Sequence, residues 1–178
     1  DLFLGPAVLL ASRGEAATLE TASAIAVPLL AVLATVVGFI DARRTPRVVD
    51  VEVPLPGLPA ALQGFTIAQV SDVHIGPSIK RDFLQGIVDI VNSLGVDLVA
   101  ITGDLVDGSV EQLAVHVEPL ARLRARHGAW FVTGNHEYYS GAAAWIAELR
   151  RLGIHVLLNE HVVLRHGGAS LLLAGVTD

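Results

Sequence analysis

The feature that most constrains this chain is a run of about 20 residues, 21–40, that carries no charged side chain. At about 1.5 Å of rise per residue, a helix of that length crosses a hydrocarbon core of roughly 30 Å. Pro28 lies inside the run, and a membrane helix tolerates such a proline because neighbouring groups satisfy the freed carbonyl. The run therefore predicts a transmembrane helix, and a buried helix of a soluble core is the alternative.

The residues before and after this run are interpreted as different parts of the protein. Residues 2–11 are apolar but too few to span a membrane, so we interpret them as the remnant of an earlier helix. Residues 12–20 would then form a short loop between that remnant and the span. On this interpretation residues 1–45 are a membrane anchor, and residues 46–178 belong to a separate domain.

Positive charges lie mainly on one side of the span. Arg43, Arg44 and Arg47 follow it closely, whereas only Arg13 precedes it. Because positively charged loops favour the cytoplasmic side of a membrane, we expect the downstream domain to lie in the cytoplasm.

Composition argues against two kinds of site. The formal net charge is -6, from 18 acidic and 12 basic residues, and no long run of lysine or arginine occurs. Bulk binding of nucleic acid is therefore disfavoured, because it depends on neutralising many phosphates. Cysteine is absent, so any metal site must be built from nitrogen and oxygen ligands.

After the anchor, apolar runs that are typical of strands alternate with runs of helical spacing. Strands are predicted at residues 49–53, 65–71, 97–102, 130–133, 154–158, 162–165 and 170–176. Helices are predicted at residues 80–94, 110–126 and 142–152. Pro119 should break or restart the second helix. The first strand is expected at a sheet edge, and the last two form a hairpin. The alternation predicts an α/β fold with a parallel sheet.

Polar clusters follow three of the predicted strands, at residues 71–74, 102–108 and 133–137. Each cluster alone is compatible with an ordinary turn at a strand end. Together they bring metal-binding groups to one edge of a sheet, because the carboxyl ends of parallel strands meet there. These groups are Asp72, His74, Asp104 and Asn135. Converging carboxylates repel one another and need a cation, so the clusters predict a site for divalent metal.

The motifs in these clusters resemble, in order, those of the calcineurin-like metallophosphoesterase superfamily. They read Asp72-x-His74, Gly103-Asp104-x-x-Asp107 and Gly134-Asn135-His136-Glu137. The segments at residues 71–77 and 134–139 are similar to bacterial membrane-anchored members. The resemblance implies a β-sandwich flanked by helices, of which residues 46–178 supply the first, N-terminal part. It also implies a location at the bacterial inner membrane.

The resemblance implies that two divalent metal ions, manganese, iron or zinc, bind at the site. Asp72 and His74 would ligate the first metal, and Asp104 would bridge both metals. Asn135 would ligate the second metal through its side-chain oxygen. In the family's mechanism, a hydroxide shared by the two metals attacks phosphorus in line.

His136 has an implied catalytic role that does not involve binding metal. It would protonate the leaving-group oxygen, or stabilise the charge that develops there. Asp107 would hold the His136 ring in the required tautomer. The resemblance leaves Glu137 without an assigned role.

The family's second half supplies a further histidine and a Gly-His-x-His segment that complete both metal shells, and neither occurs in these 178 residues. Five other histidines are expected to have structural or surface roles, namely His116, His127, His155, His161 and His166. The chain alone is therefore expected to bind metal weakly and to turn over little substrate.

Three functions are compatible with these features. The first is a metal-dependent hydrolase of phosphomonoesters or phosphodiesters at the membrane, acting on a small-molecule or lipid-linked substrate. The second is a non-catalytic membrane module with a degenerate metal- or phosphate-binding site. The third, a metal-free nucleotide-binding α/β protein, is disfavoured because no glycine-rich phosphate loop follows a predicted strand.

Overall fold

A computed structural model describes residues 13–178 of the chain. The chain forms two compact units, and the boundary between them lies between Arg44 and Thr45. The helix remnant expected at residues 2–11 lies outside the described residues.

The first unit contains one long helix, α1 (Arg13–Asp41), with Pro28 inside it. Its segment Ala17–Asp41 has a mean hydropathy of 2.4, and it is long and apolar enough to cross a membrane. The loop expected at residues 12–20 is wrong, because the helix already begins at Arg13. Alanine, leucine and glutamate dominate this stretch, and all three favour helix.

The second unit is a four-stranded parallel sheet with helices, followed by a two-stranded hairpin. The sheet strands, in spatial order, are β1 (Ile67–Val70), β2 (Leu98–Ile101), β3 (Ala129–Phe131) and β4 (His155–Val156). The helices are α2 (Arg81–Leu94), α3 (Val110–Val117), α4 (Asn135–Ser140) and α5 (Ala142–Arg151). Two 3-10 helices cover Ala60–Leu62 and Glu118–Arg122, and the hairpin strands are β5 (Glu160–His166) and β6 (Ala169–Gly175). The predicted α/β class with a parallel sheet is confirmed.

A single hydrophobic core joins the sheet to the helices. Its largest fully buried side chains include Ile101 and Phe131 of the strands, Leu84 and Val88 of α2, and Trp145 of α5. Each such side chain contributes about 1.5 to 3 kcal/mol when it leaves water. This packing holds the strand ends, and the loops that follow them, in fixed positions.

Two helix boundaries follow from local chemistry. Gly95 adopts a left-handed conformation (φ 62°) and ends α2, as the sequence predicts. The helix predicted at residues 110–126 ends at Val117 instead, and a 3-10 helix with Pro119 in its first turn continues the chain. A proline fits the first turn of a helix because its missing N–H has no partner there.

The hairpin predicted near the end of the chain is confirmed. β5 and β6 pair antiparallel, from Glu160 opposite Gly175 to His166 opposite Ala169. Gly167 and Gly168 form the two-residue turn, with φ values of 57° and 89°. Tight hairpin turns favour glycine because they require positive φ.

The edge strand expected at residues 49–53 does not form. These residues belong to neither helix nor strand, and the valines at positions 49, 51 and 53 are exposed. Alternating hydrophobicity predicts which face a strand would bury, but it supplies no partner strand. A lone segment therefore leaves its backbone groups to water.

Candidate metal centre

The loops after β1 and β2 run side by side beyond the end of the sheet. The backbone N–H of His74 donates to the carbonyl of Asp104 over 3.1 Å, and that of Ile75 donates to Leu105 over 2.8 Å. The pairing places the polar residues that follow β1 directly beside those that follow β2. The two polar clusters therefore face each other, as the parallel strands predict.

Three of the sequence-predicted side chains converge in this place. One ligand atom each from Asp72, His74 and Asp104 lies within 4.8 Å of the others. Asp72 is exposed, whereas His74 and Asp104 are half-buried, so the group is open to solvent on one side. The arrangement can hold a cation between two carboxylates and an imidazole.

The backbone at all three residues is strained. Asp72, His74 and Asp104 have φ values of 56°, 52° and 50°, in the left-handed region that disfavours residues with a side chain. In the described part of the chain, Asn159 is the only other non-glycine residue with positive φ. Such conformations cost about 1 to 3 kcal/mol each, and they persist where surrounding contacts impose them, typically at functional sites.

A second group adjoins the first and contains His74, Asp107 and His136. Oδ1 of Asp107 lies 2.6 Å from Nδ1 of His136 and 3.1 Å from Nδ1 of His74. The two imidazole rings meet edge to face, with their centres 4.5 Å apart. About a third of each of the three side chains is exposed, so a ligand can reach the rings.

Neighbouring groups shift the pKa values of His74 and Asp107. The hydrogen bond with Asp107 raises the pKa of His74 against the opposing effect of burial, and the charges of Asp107, Asp104 and Asp72 add to the increase. Burial pushes the pKa of Asp107 upward, but hydrogen bonds from His74 and His136 outweigh it and hold that pKa below its ordinary value. Asp107 therefore remains an anion next to the two rings.

Asn135, at the start of α4, turns its side-chain amide toward Asp104. With its nitrogen facing the carboxylate, the amide donates to the two oxygens over 3.2 and 3.3 Å. With its oxygen facing the carboxylate, three oxygen atoms converge, and a cation between them removes their repulsion. The structure thus brings all four predicted metal-binding side chains to one place.

The sequence analysis missed the role of Glu137 in this place. Its side chain is fully buried, and its carboxylate accepts hydrogen bonds from three backbone N–H groups. Their donors are Asp104 (3.0 Å), Leu105 (2.8 Å) and Gly134 (2.7 Å). A sequence signal for one of these contacts existed, because a glutamate three residues after the N-cap often bonds back to the cap N–H.

Comparison with known proteins agrees with this geometry. A model of the calcineurin-like phosphoesterase family matches residues 65–176, and this segment contains every residue of the candidate metal centre. The chain belongs to the calcineurin-like phosphoesterase family. The sequence-based resemblance is therefore confirmed.

Several proteins are similar to this chain in sequence. A transmembrane protein with metallophosphoesterase domain from Danio rerio is 42% identical over 158 residues, covering 86% of this chain and 36% of the relative. The Bos taurus protein of the same name is 41% identical over 162 residues, with shares of 85% and 36%. An uncharacterized metallophosphoesterase from Helicobacter pylori is 38% identical over 141 residues, with shares of 79% and 36%. The chain thus spans about a third of the length of these relatives.

The donors at this site fit the divalent metals that the family uses. Carboxylate, amide and imidazole groups are the ligands expected for such ions when thiolates are absent. The charge balance agrees, because two adjacent carboxylates and a third at Asp107 leave the site with an excess of negative charge. The identity of the metal does not follow from these donors.

Glycine is required where the loops after β2 and β3 approach each other most closely. A Cβ atom added at Gly134 would lie 2.7 Å from the backbone nitrogen of Asp104, and one added at Gly103 would lie 2.5 Å from the nitrogen of Gly134. Real side chains essentially never approach backbone atoms so closely. The two glycines therefore allow the loops after β2 and β3 to meet at Asp104.

Three of the remaining five histidines make contacts elsewhere. Nε2 of His127 lies 3.0 Å from Nδ1 of His166, and the ring of Phe65 packs against both. His155 stacks on Trp130 with ring centres 4.4 Å apart. None of the five histidines outside the site appears in the candidate metal-binding groups found among the described residues.

Proposed function

We propose that this protein is a metal-dependent hydrolase of phosphomonoesters or phosphodiesters that acts at a membrane through two divalent metal ions. The observation that carries the proposal is the convergence of Asp72, His74 and Asp104 within 4.8 Å at the end of a parallel sheet. Membership of the calcineurin-like phosphoesterase family supports it. Because the chain spans about a third of its relatives, the proposal concerns the activity of the whole protein.

Four side chains are assigned to the metals. Asp72 and His74 would hold the first ion, Asp104 would serve both ions, and the side-chain oxygen of Asn135 would hold the second. When bound, two such ions supply positive charge for the phosphate oxygens and lower the pKa of water. The hydrogen bond from Nδ1 of His74 to Asp107 leaves its Nε2 free to serve as a ligand.

His136 is assigned to the leaving group. A carboxylate accepts hydrogen bonds and donates none, so the 2.6 Å contact with Asp107 places a proton on Nδ1 of His136. Its Nε2 is then the atom that holds or transfers a proton at the leaving-group oxygen. Asp107 fixes the ring in that orientation.

The proposed substrate carries its phosphate on a small molecule or a lipid, and not on a nucleic acid. The apolar helix α1 motivates this choice, because it is long enough to hold the protein at a membrane. The two relatives from Danio rerio and Bos taurus are named transmembrane proteins.

The three arginines that follow α1 favour a cytoplasmic domain.

The first test is hydrolysis of p-nitrophenyl phosphate and bis-p-nitrophenyl phosphate by the full-length protein in detergent, with and without added manganese. The Asp104→Asn variant removes the carboxylate assigned to both ions and keeps its size. We expect the turnover of the wild type to depend on added metal. In the Asp104→Asn variant, turnover should fall by at least roughly 100-fold, because the charge next to both ions disappears. The matched control is Asp50→Asn, which makes the same chemical change at an exposed residue.

The outcomes separate the proposed function from its alternatives. Preference for the monoester or the diester identifies the substrate class. Metal binding without turnover of either ester would favour a non-catalytic module. A protein that binds no metal would contradict the assignment of all four ligands.

A further inference from the structure

Glu137 is a buried acid that the proposed chemistry does not use. Among the described residues it is the only charged side chain that is fully buried. Burial of a carboxylate is strongly unfavourable unless hydrogen bonds replace those lost from water. The three N–H groups that donate to Glu137 supply that replacement.

The hydrogen bonds that Glu137 accepts come from two different loops. Gly134 is the N-cap of α4, and its bond to Glu137 is an ordinary capping contact. Asp104 and Leu105 belong to a different loop, 32 to 33 residues earlier in the chain. Their successive N–H groups point at one anion, in an arrangement that resembles the backbone nests that bind anions. Glu137 therefore connects the loop after β2 to the loop after β3.

The connection bears directly on Asp104. Its N–H donates to Oε2 of Glu137, its carbonyl accepts from His74, and its Oδ1 accepts from the N–H of His136 over 3.0 Å. These contacts hold Asp104 in its left-handed conformation, with φ of 50°. Without the anion, the N–H groups of Asp104 and Leu105 lose the partner that turns them to the same side.

We propose that Glu137 is a positioning residue, which fixes the backbone of Asp104 and thereby the direction of its carboxylate. The inference rests on the proposed function, in which that carboxylate contacts both metals. Glu137 contacts neither metal nor substrate, because its oxygens are occupied by backbone donors. Its effect on the metals passes through the backbone that it holds, above all that of Asp104.

The test compares Glu137→Gln with the wild-type protein, both full-length and in detergent. Glutamine keeps the size of the side chain, but it has one acceptor oxygen and an NH₂ group that would face a backbone N–H. The readouts are manganese affinity, the number of ions bound after dialysis, and the electron paramagnetic resonance signal of a coupled manganese pair. We expect roughly 10- to 100-fold weaker binding and loss of the coupled signal, because residues that hold metal ligands in position have effects of this size.

The matched control is Ser140→Ala, on the same helix. Ser140 donates to the carbonyl of Val106 and accepts from the N–H of Gly108, both over 3.1 Å, so it connects α4 to the same loop without touching Asp104. We expect its manganese affinity and coupled signal to match those of the wild type. A second variant, Glu137→Asp, keeps the charge on a shorter side chain, and should bind more tightly than Glu137→Gln. It also serves if the glutamine variant does not fold.

The outcomes distinguish failure of this inference from failure of the proposed function. Wild-type affinity and an intact coupled signal in Glu137→Gln would overturn the positioning role and leave the metal centre in place. Equal losses in Ser140→Ala and Glu137→Gln would overturn it too, because they would indicate a general loosening of α4. A wild-type protein that binds no manganese would overturn the proposed function together with this inference.

Discussion

Oδ1 of Asp107 lies 2.6 Å from Nδ1 of His136, and the same oxygen lies 3.1 Å from Nδ1 of His74. One acid thus orients two rings to which the proposed function gives different tasks. Since both Nδ1 atoms point at an acceptor, both Nε2 atoms are left for other partners. The metal and leaving-group tasks are therefore coupled through a single oxygen atom.

Replacing Asp107 should affect both tasks. Asp107→Ala removes the shared acceptor, so we expect roughly 100-fold lower turnover and about 10-fold weaker manganese binding. Asp107→Asn keeps an acceptor oxygen and loses the charge, so its losses should be smaller. Ester hydrolysis and metal titration of the two variants measure these effects. Unchanged affinity in Asp107→Ala would show that His74 needs no orienting partner.

Trp145 should stabilise the loop that carries Asp107. The side chain is fully buried, and its Nε1 donates to the carbonyl of Gly108 over 2.9 Å. Trp145→Phe leaves that carbonyl without its donor and opens a cavity, so the free energy of unfolding should fall by about 1 to 3 kcal/mol. Chemical denaturation of the protein in detergent measures the change.

The chain contains only two tryptophans, and the other one provides the control. Trp130 is half-buried, and its Nε1 donates to the carbonyl of His127 over 2.8 Å. Trp130→Phe removes the same kind of hydrogen bond at a position that water can reach, so its effect should be smaller. An equal loss in both variants would indicate that burial of Trp145 contributes little.

The stability of the second unit should depend on pH through Asp97. The backbone N–H of Thr66 donates to its Oδ2 over 3.0 Å, and this bond is the main reason that the pKa of Asp97 lies below 3.8. The Thr66 hydroxyl adds a second bond, and His166 and Arg126 lower the pKa further. Because the folded-state pKa is the lower one, the carboxylate stabilises the fold above pH 3.8, and this contribution is lost as the pH falls through the folded value.

Asp97→Asn should remove that part of the pH dependence. Denaturation midpoints measured from about pH 6 to pH 3 should fall less steeply in the variant than in the wild type, because the amide does not titrate. Asp50→Asn, at an exposed position, should retain the wild-type slope. Identical slopes for Asp97→Asn and the wild type would show that other groups control acid unfolding.

The absence of cysteine allows a direct test of membrane topology. Asp50→Cys introduces a thiol at an exposed position shortly after α1, in a stretch of 178 residues that has no other cysteine. We expect a membrane-impermeant maleimide to label this thiol only after the cells are permeabilised, because the arginines that follow α1 favour the cytoplasmic side. Labelling of intact cells would place the domain on the opposite side.

Much of the fold and the candidate site follows from local patterns. Apolar runs, helical spacing, and glycines at positions such as Gly95 and Gly167 predict the order of elements, because they reflect burial and local backbone preference. The order of the polar clusters predicts which side chains meet, since parallel strands present their carboxyl ends at one edge. The convergence of Asp72, His74 and Asp104 was predictable for that reason.

Other features depend on contacts between segments far apart in sequence. The valines at positions 49, 51 and 53 have the pattern of a strand, but no strand within residues 13–178 pairs with them. Glu137 looks like a helix-capping residue, yet two of its three donors lie in another loop. The sequence by itself determined most of the strands and helices and the set of polar groups, because each depends mainly on neighbouring residues. Only the tertiary structure decided which N–H groups Glu137 satisfies and that one oxygen of Asp107 serves two histidines, because hydrogen bonds depend on where the packed core places the loops.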